Sequence, residues 1–103
     1  MKLTIIRKDG AVYKDGVSYS GLDLSSAPAN IHALQWKDTK GWIEFVDSDD
    51  GTKPQNEAIT SLPAWATTAM VKWDEAKAAE EAAILAAQQA AANQPQTTGT
   101  QIA

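Results

Sequence analysis

KLTIIRKDGAVYKDGVSYS, residues 2–20, is the stretch whose reading decides the fold. Leu3 and Ile5 alternate with Lys2 and Thr4, and less cleanly with Ile6, before Asp9-Gly10 interrupts. Ala11 to Lys14 is a second short run, Asp15-Gly16 interrupts again, and Val17-Ser18-Tyr19-Ser20 alternates apolar and hydroxyl side chains. A period of two sends successive side chains to opposite faces of a strand. Asp-Gly between such runs is the strongest short hairpin signal, because a two-residue type I′ turn needs positive φ at both central residues. Two such pairs so close together predict a tight antiparallel meander.

Working outward, Gly21 to Asn30 carries the Ser, Pro and Asn content of a connection. Ile31-His32-Ala33-Leu34-Gln35-Trp36 has little alternation, which predicts a central strand covered on both faces. Lys37 to Gly41 is read as a polar turn, Trp42 to Val46 as the hairpin partner, Asp47 to Gly51 as its end, and Thr52 to Glu57 as loop. From Ser61 the period changes. Ser61 is suited to cap a helix and Pro63 to its first turn. Trp65, Ala69 and Trp73 then recur at helical spacing, with Leu62, Met70 and Ala76 on much the same face. Alanine carries the helix on propensity to about Ala92, and Asn93-Gln94-Pro95 stops it. The expected fold is α+β. A small antiparallel β-meander domain spans residues 1–60. A long Ala-rich C-terminal α-helix spans 61–93, its first half packed on the sheet, and a polar tail spans 94–103.

The chain of 103 residues is the length of one domain, so its core must be economical. Each of its four tryptophans is able to bury roughly 150–250 Å². They either form that core or leave one or two rings as an adhesive surface. Trp36 and Trp42 flank a predicted turn, so one or both are expected against Leu62, Trp65 or Met70.

Nothing in the sequence carries recognisable chemistry. His32 is the single histidine, placed in an apolar strand, and is read as packed or hydrogen-bonded there. Asp47-Ser48-Asp49-Asp50-Gly51 departs from the calcium-loop register, with glycine at the fifth position, Ala58 at the twelfth and Pro54 inside. It is read as a turn. The acidic clusters lie in turns or on the helix, and the six glycines are scattered rather than gathered into a phosphate loop. No catalytic residue, no metal ligand and no cofactor is therefore expected.

Nine Lys and Arg against thirteen Asp and Glu give a net charge of −4, the wrong sign for nucleic acid or an anionic membrane. There is no cysteine, hence no disulfide or thiolate site. The opening MKLTIIRKDG has too short an apolar stretch for a signal peptide. The Ala-rich region is broken by Lys72, Asp74, Glu75, Lys77, Glu80 and Glu81, so it is no membrane span. A product made in the cytosol is expected.

Beyond Trp73 the bulky apolar residues of the helix are Ile84 and Leu85, set among Ala76, Ala79, Ala83, Ala87 and Ala90. Such a smooth helix is either a solvated rod or a close-packed contact with a partner or with copies of itself. Without sustained a/d leucines it is not a conventional coiled coil. Trp65, Trp73, Ile84 and Leu85 are the candidate partner-binding residues.

Four segments carry a resemblance: Asp9 to Ser25, Ile31 to Trp36, Gly41 to Phe45, and Ile59-Thr60-Ser61-Leu62-Pro63-Ala64-Trp65. In this order they resemble small proteins encoded near the tail-fibre genes of tailed bacteriophages and prophages. The similarity covers about residues 2–75, and it brings no established catalytic residues. It implies a phage tail or tail-fibre-associated structural protein, located in the virion after synthesis in the host cytoplasm. Its partner would be a phage tail or tail-fibre protein. A tail-fibre assembly chaperone is the alternative, and a host-directed binding protein a second one.

Overall fold

The computed structural model describes residues 1–92. Six strands form one antiparallel sheet: β1 (Lys2–Ile6), β2 (Ala11–Lys14), β3 (Val17–Tyr19), β4 (Ile31–Lys37), β5 (Lys40–Phe45) and β6 (Glu57–Ile59). One long helix, α1 (Ala64–Ala92), follows. The strand order is β3-β2-β1-β4-β5-β6, two three-stranded meanders joined edge to edge where β1 pairs with β4. The expected α+β class is the observed one, and the molecule is elongated, 73 × 30 × 18 Å. The helix stop at Asn93 to Pro95 and the polar tail lie outside the described residues.

The two Asp-Gly pairs behave differently. Asp15 and Gly16 both take positive φ, 49° and 87°, and join Lys14 directly to Val17, as a two-residue type I′ turn requires. Asp9-Gly10 is not such a turn. Ile6 pairs with Ala11, so the connection is four residues long, and only Gly10 in it has positive φ. A backbone bond from Gly10 N to Arg7 O closes that loop.

The Lys37 to Gly41 turn is shorter than expected. Lys37 pairs with Lys40 across Asp38-Thr39, with Asp38 at φ 57°. Gly41 belongs to β5 opposite Trp36, where an added Cβ would collide with the Gln35 carbonyl oxygen. β6 is not among the expected strands: it begins at Glu57, the last residue of the segment read as loop, and pairs with β5 as a three-residue edge strand.

In antiparallel pairs, residues directly opposite share a face. Leu3, Ile5, Val12, Leu34, Trp36 and Ile43 form the inner face of the sheet and are buried. Leu24 and Ala27 of the connection are buried too, and Ala66, Ala69 and Trp73 contribute from α1. Trp36 joins the core cluster against which Leu62, Trp65 and Met70 pack. Trp42 points to the other face and is 44% exposed, so one of the two hairpin tryptophans is core and the other is not.

β4 is central, but it is not covered on both faces. His32 is exposed rather than packed, because the pairing with β5 shifts between Ile31 and Ala33 and leaves His32 as the extra residue of a bulge. Ser61 does not cap the helix either. The first helical amides, Ala66 N and Thr67 N, bond to the Pro63 carbonyl, which puts Pro63 itself at the N-cap.

Candidate functional site

The first half of α1 is anchored to the sheet by Trp73. This ring is 6% exposed, and its Nε1 donates to the Val17 carbonyl at 3.0 Å. Tyr19 meets it edge-on at 5.7 Å between centroids and 70°. Lys14 lays its ammonium 4.7 Å over the ring and 3.7 Å from the Asp74 carboxylate. Edge strand β3 and its neighbour β2 thus hold the helix through one aromatic side chain. Desolvation beside the helix, reinforced by the Glu80 carboxylate, pushes the Tyr19 phenol above its ordinary pKa.

This placement sorts the four candidate partner-binding residues. Trp73 is buried in the helix–sheet contact and offers no surface to a partner. Trp65 is half-buried against the core. Ile84 and Leu85 are 49% and 54% exposed, next to each other on the helix. No part of the sheet brings the first pair and the second pair together.

From Ala78 to Ala92 every residue is exposed. The Glu80 carboxylate still reaches Tyr19 on the sheet, so the part that stands clear is residues 82–92, about 16 Å at 1.5 Å per residue. Its charges end early: Glu81 pairs with Lys77 at 2.9 Å, and residues 82–92 contain no Asp, Glu, Lys or Arg. The Lys77 ammonium is held above its usual pKa by the Glu81 carboxylate. Residues 82–92 are therefore uncharged all round, with Ile84 and Leu85 as the large apolar side chains.

A second exposed surface is the outer face of the sheet, which sequence reading passed over. Across the strands runs the row Ser18, Tyr13, Thr4, Gln35, Trp42, Ala58, each opposite the next. The Thr4 hydroxyl donates to Gln35 Oε1 at 2.7 Å, and Trp42 Nε1 donates to Glu44 Oε2 at 2.9 Å. Beside this row lies a second one, Lys2, Lys37 and Lys40. Two shallow depressions of about 330 and 310 Å³ open here, one beside Tyr13 and one beside Trp42, sharing Lys2 and Thr4. The available signal was the alternation itself: once Leu3 and Ile5 face inward, Thr4 and its neighbours opposite face outward.

The acidic turns do local work. Asp23 accepts from Ser25 N at 3.0 Å, and Asp50 accepts from Thr52 N at 3.0 Å and from its hydroxyl. These bonds hold both carboxyls below the usual aspartate pKa. Among the described residues, no group of three or more His, Cys, Asp or Glu side chains is placed to hold a metal ion. Among the same residues, no helix is long and apolar enough to cross a membrane.

Comparison with known proteins finds no matching family model, no matching curated protein and no matching solved structure.

Proposed function

We propose that this chain is a non-catalytic component of a larger protein assembly, held there by the free half of α1. By the resemblance of residues 2–75, the assembly is the tail or tail-fibre apparatus of a tailed bacteriophage. One observation carries the reading: residues 82–92 are wholly exposed yet uncharged, with Ile84 and Leu85 in their midst. A solvated helix ordinarily keeps charge on its water-facing side, whereas the polar side chains of this stretch are Gln88 and Gln89 alone, and so apolar a helix surface suits contact better than solvent. Alanine adds a means of contact, because small side chains let helix axes approach toward the short end of the 8–10 Å range.

The size of the element bears on its partner. One face of a rod about 16 Å long and about 10–12 Å wide falls short of the ~800 Å² per partner of a standard interface. A groove that wraps more than one side of the helix supplies the missing area, as does a bundle of several neighbours.

The test is Ile84→Glu combined with Leu85→Glu. Both side chains are half exposed in the free chain, so the melting temperature of the isolated protein stays within a degree or two of wild type. Incorporation into the assembly is lost, read by mass spectrometry of purified particles from the strain that encodes the chain. Presence of the wild-type chain in finished particles identifies a structural component. Absence, with fibres that fail to mature without it, identifies an assembly chaperone instead. Undiminished incorporation of the double variant would refute the role given to the helix.

A further inference from the structure

We infer that the outer face of the sheet is a second docking surface, for an acidic peptide segment of another protein that carries apolar side chains beside its carboxylates. This inference does not rest on the role of the helix, which leaves the opposite face of the sheet.

Charge is the first argument. Lys2, Lys37 and Lys40 lie directly opposite one another on three adjacent strands. No carboxylate lies within ion-pair distance of any of them among the described residues. Like charges facing each other across strands weaken a sheet. In a chain of net charge −4, the three lysines and the Met1 ammonium outnumber the two carboxylates at this margin, Asp38, which is taken by Met1, and Asp15, which accepts from Lys2 N. An incoming group of carboxylates relieves that excess.

The polar floor has the same preference. Gln35 Oε1 is occupied by the Thr4 hydroxyl, which leaves the amide NH2 of Gln35 as a donor to the groove. The indole N–H of Trp42 is already spent on Glu44, so that ring presents its apolar surface. The lysine ammoniums and the Gln35 amide donate, Glu44 Oε2 is taken by the indole, and at the lysine margin a ligand must bring acceptors.

Spacing argues for a chain rather than a small ion. Tyr13 on β2 and Trp42 on β5 are separated by three strand spacings, about 14 Å, which an extended peptide crosses in about four residues. The rings are 49% and 44% exposed, each beside its own depression, and each suits one apolar side chain. Aromatic anchors at the centre with charge along one margin are the usual anatomy of a protein interface. The chain's own helix does not qualify as the occupant, since residues 82–92 carry no carboxylate. Long polyanions are opposed by the overall charge and find only one short row of lysines.

Selection of random dodecapeptides displayed on a carrier against the full chain tests this. Recovered sequences should be enriched in Asp and Glu together with Leu, Phe or Trp. A synthetic copy of the winner should shift the amide resonances of Thr4, Tyr13 and Gln35 and the Trp42 indole. Its affinity should fall about tenfold or more from low to high salt, as expected for exposed charges. Lys37→Glu with Lys40→Glu should abolish binding, and Lys37→Gln with Lys40→Gln, which removes the charge without adding repulsion, should weaken it clearly. Ile84→Glu with Leu85→Glu should leave it unchanged, so the two docking surfaces fail or survive separately. No enrichment, enrichment without acidic residues, or resonance shifts elsewhere overturns the inference. Tighter binding of oligothymidylate or an oligouronic acid than of the selected peptide also overturns it, by assigning the face to a nucleic acid or a glycan.

Discussion

Replacing Trp73 by alanine should detach the helix from the sheet, and the size of the effect follows from the contacts. A tryptophan buries roughly 150–250 Å², which at about 25 cal/mol per Å² corresponds to ~4–6 kcal/mol as an upper bound. Truncations of this kind usually cost about 3–5 kcal/mol, because the surroundings relax only in part. Trp73 stands at the upper end of that range: it is 6% exposed, and it also loses the bond to Val17 and the contacts with Tyr19 and Lys14. A domain of this size has a total stability of only about 5–14 kcal/mol at 0.05–0.15 kcal/mol per residue. At roughly 4–8 °C per kcal/mol the melting temperature falls by at least ~12 °C. Helical circular dichroism should drop only in part, because the docked first turns lose their packing while the alanine run keeps helix on propensity. Trp73→Phe separates packing from hydrogen bonding: it keeps the aromatic contact and loses the N–H, for about 1 kcal/mol. Trp42→Ala is the control. That ring is 44% exposed and bonds only to Glu44 on the surface, so its removal costs about 1 kcal/mol or less. Urea unfolding followed at 222 nm measures all three variants. A Trp73→Ala protein within 1 kcal/mol of wild type, on the ~1 kcal/mol scale of an ordinary substitution, or a Trp42→Ala protein that is the weaker of the two, would refute the anchor.

Gly41→Ala should destabilise by about 1–3 kcal/mol despite the small change, since its Cβ meets the Gln35 carbonyl on the neighbouring strand; chemical denaturation reads this directly. On acidification, Asp23, Asp38 and Asp50 define the loss of stability. The carboxyl of Asp38 is held low by the Met1 ammonium, and the other two by their turn bonds. Their contribution is present above the unfolded carboxylate value near about pH 4 and lost as the pH falls through the lower folded values. Asp50→Asn should flatten part of that limb in a melting-temperature series. On the alkaline side, Tyr19 and Lys77 have raised values, so their contribution is lost as the pH climbs beyond about 10. Millimolar calcium should leave the melting temperature unchanged, because Asp50 is engaged by Thr52 and the Asp47–Gly51 turn has no calcium-loop register; a calcium-dependent rise of several degrees would contradict this.

Local signals in the sequence were sufficient for part of the backbone, with Asp9-Gly10 the exception, since that pair sits in a four-residue connection with positive φ at Gly10 alone. Asp15-Gly16 specifies a type I′ turn because its two positive φ values suit few other pairs. The alanine run specifies a long helix because propensity alone favours it over every alternative. Period two in residues 2–6 assigned Leu3 and Ile5 to one face, and the uncharged run after Glu81 was legible as a helix with little to pack on.

What the sequence left open depends on which chain segment lies beside which. Only the pairing of β1 with β4 unites two local meanders into one sheet, and only the β4–β5 register decides that Trp36 turns inward and Trp42 outward. Their neighbouring residues look alike, and a strand's side chains change face with a shift of one position. β6 was illegible because three residues carry too little periodicity and gain their bonds from β5 alone. The lysine row is the clearest case. Lys2 and Lys37 stand far apart in the chain, and antiparallel pairing, not sequence proximity, sets them side by side. Local conformational preference, the free half of α1 included, was therefore written in the chain, while the lysine-edged face of the sheet arose from non-local register, which no single segment encodes.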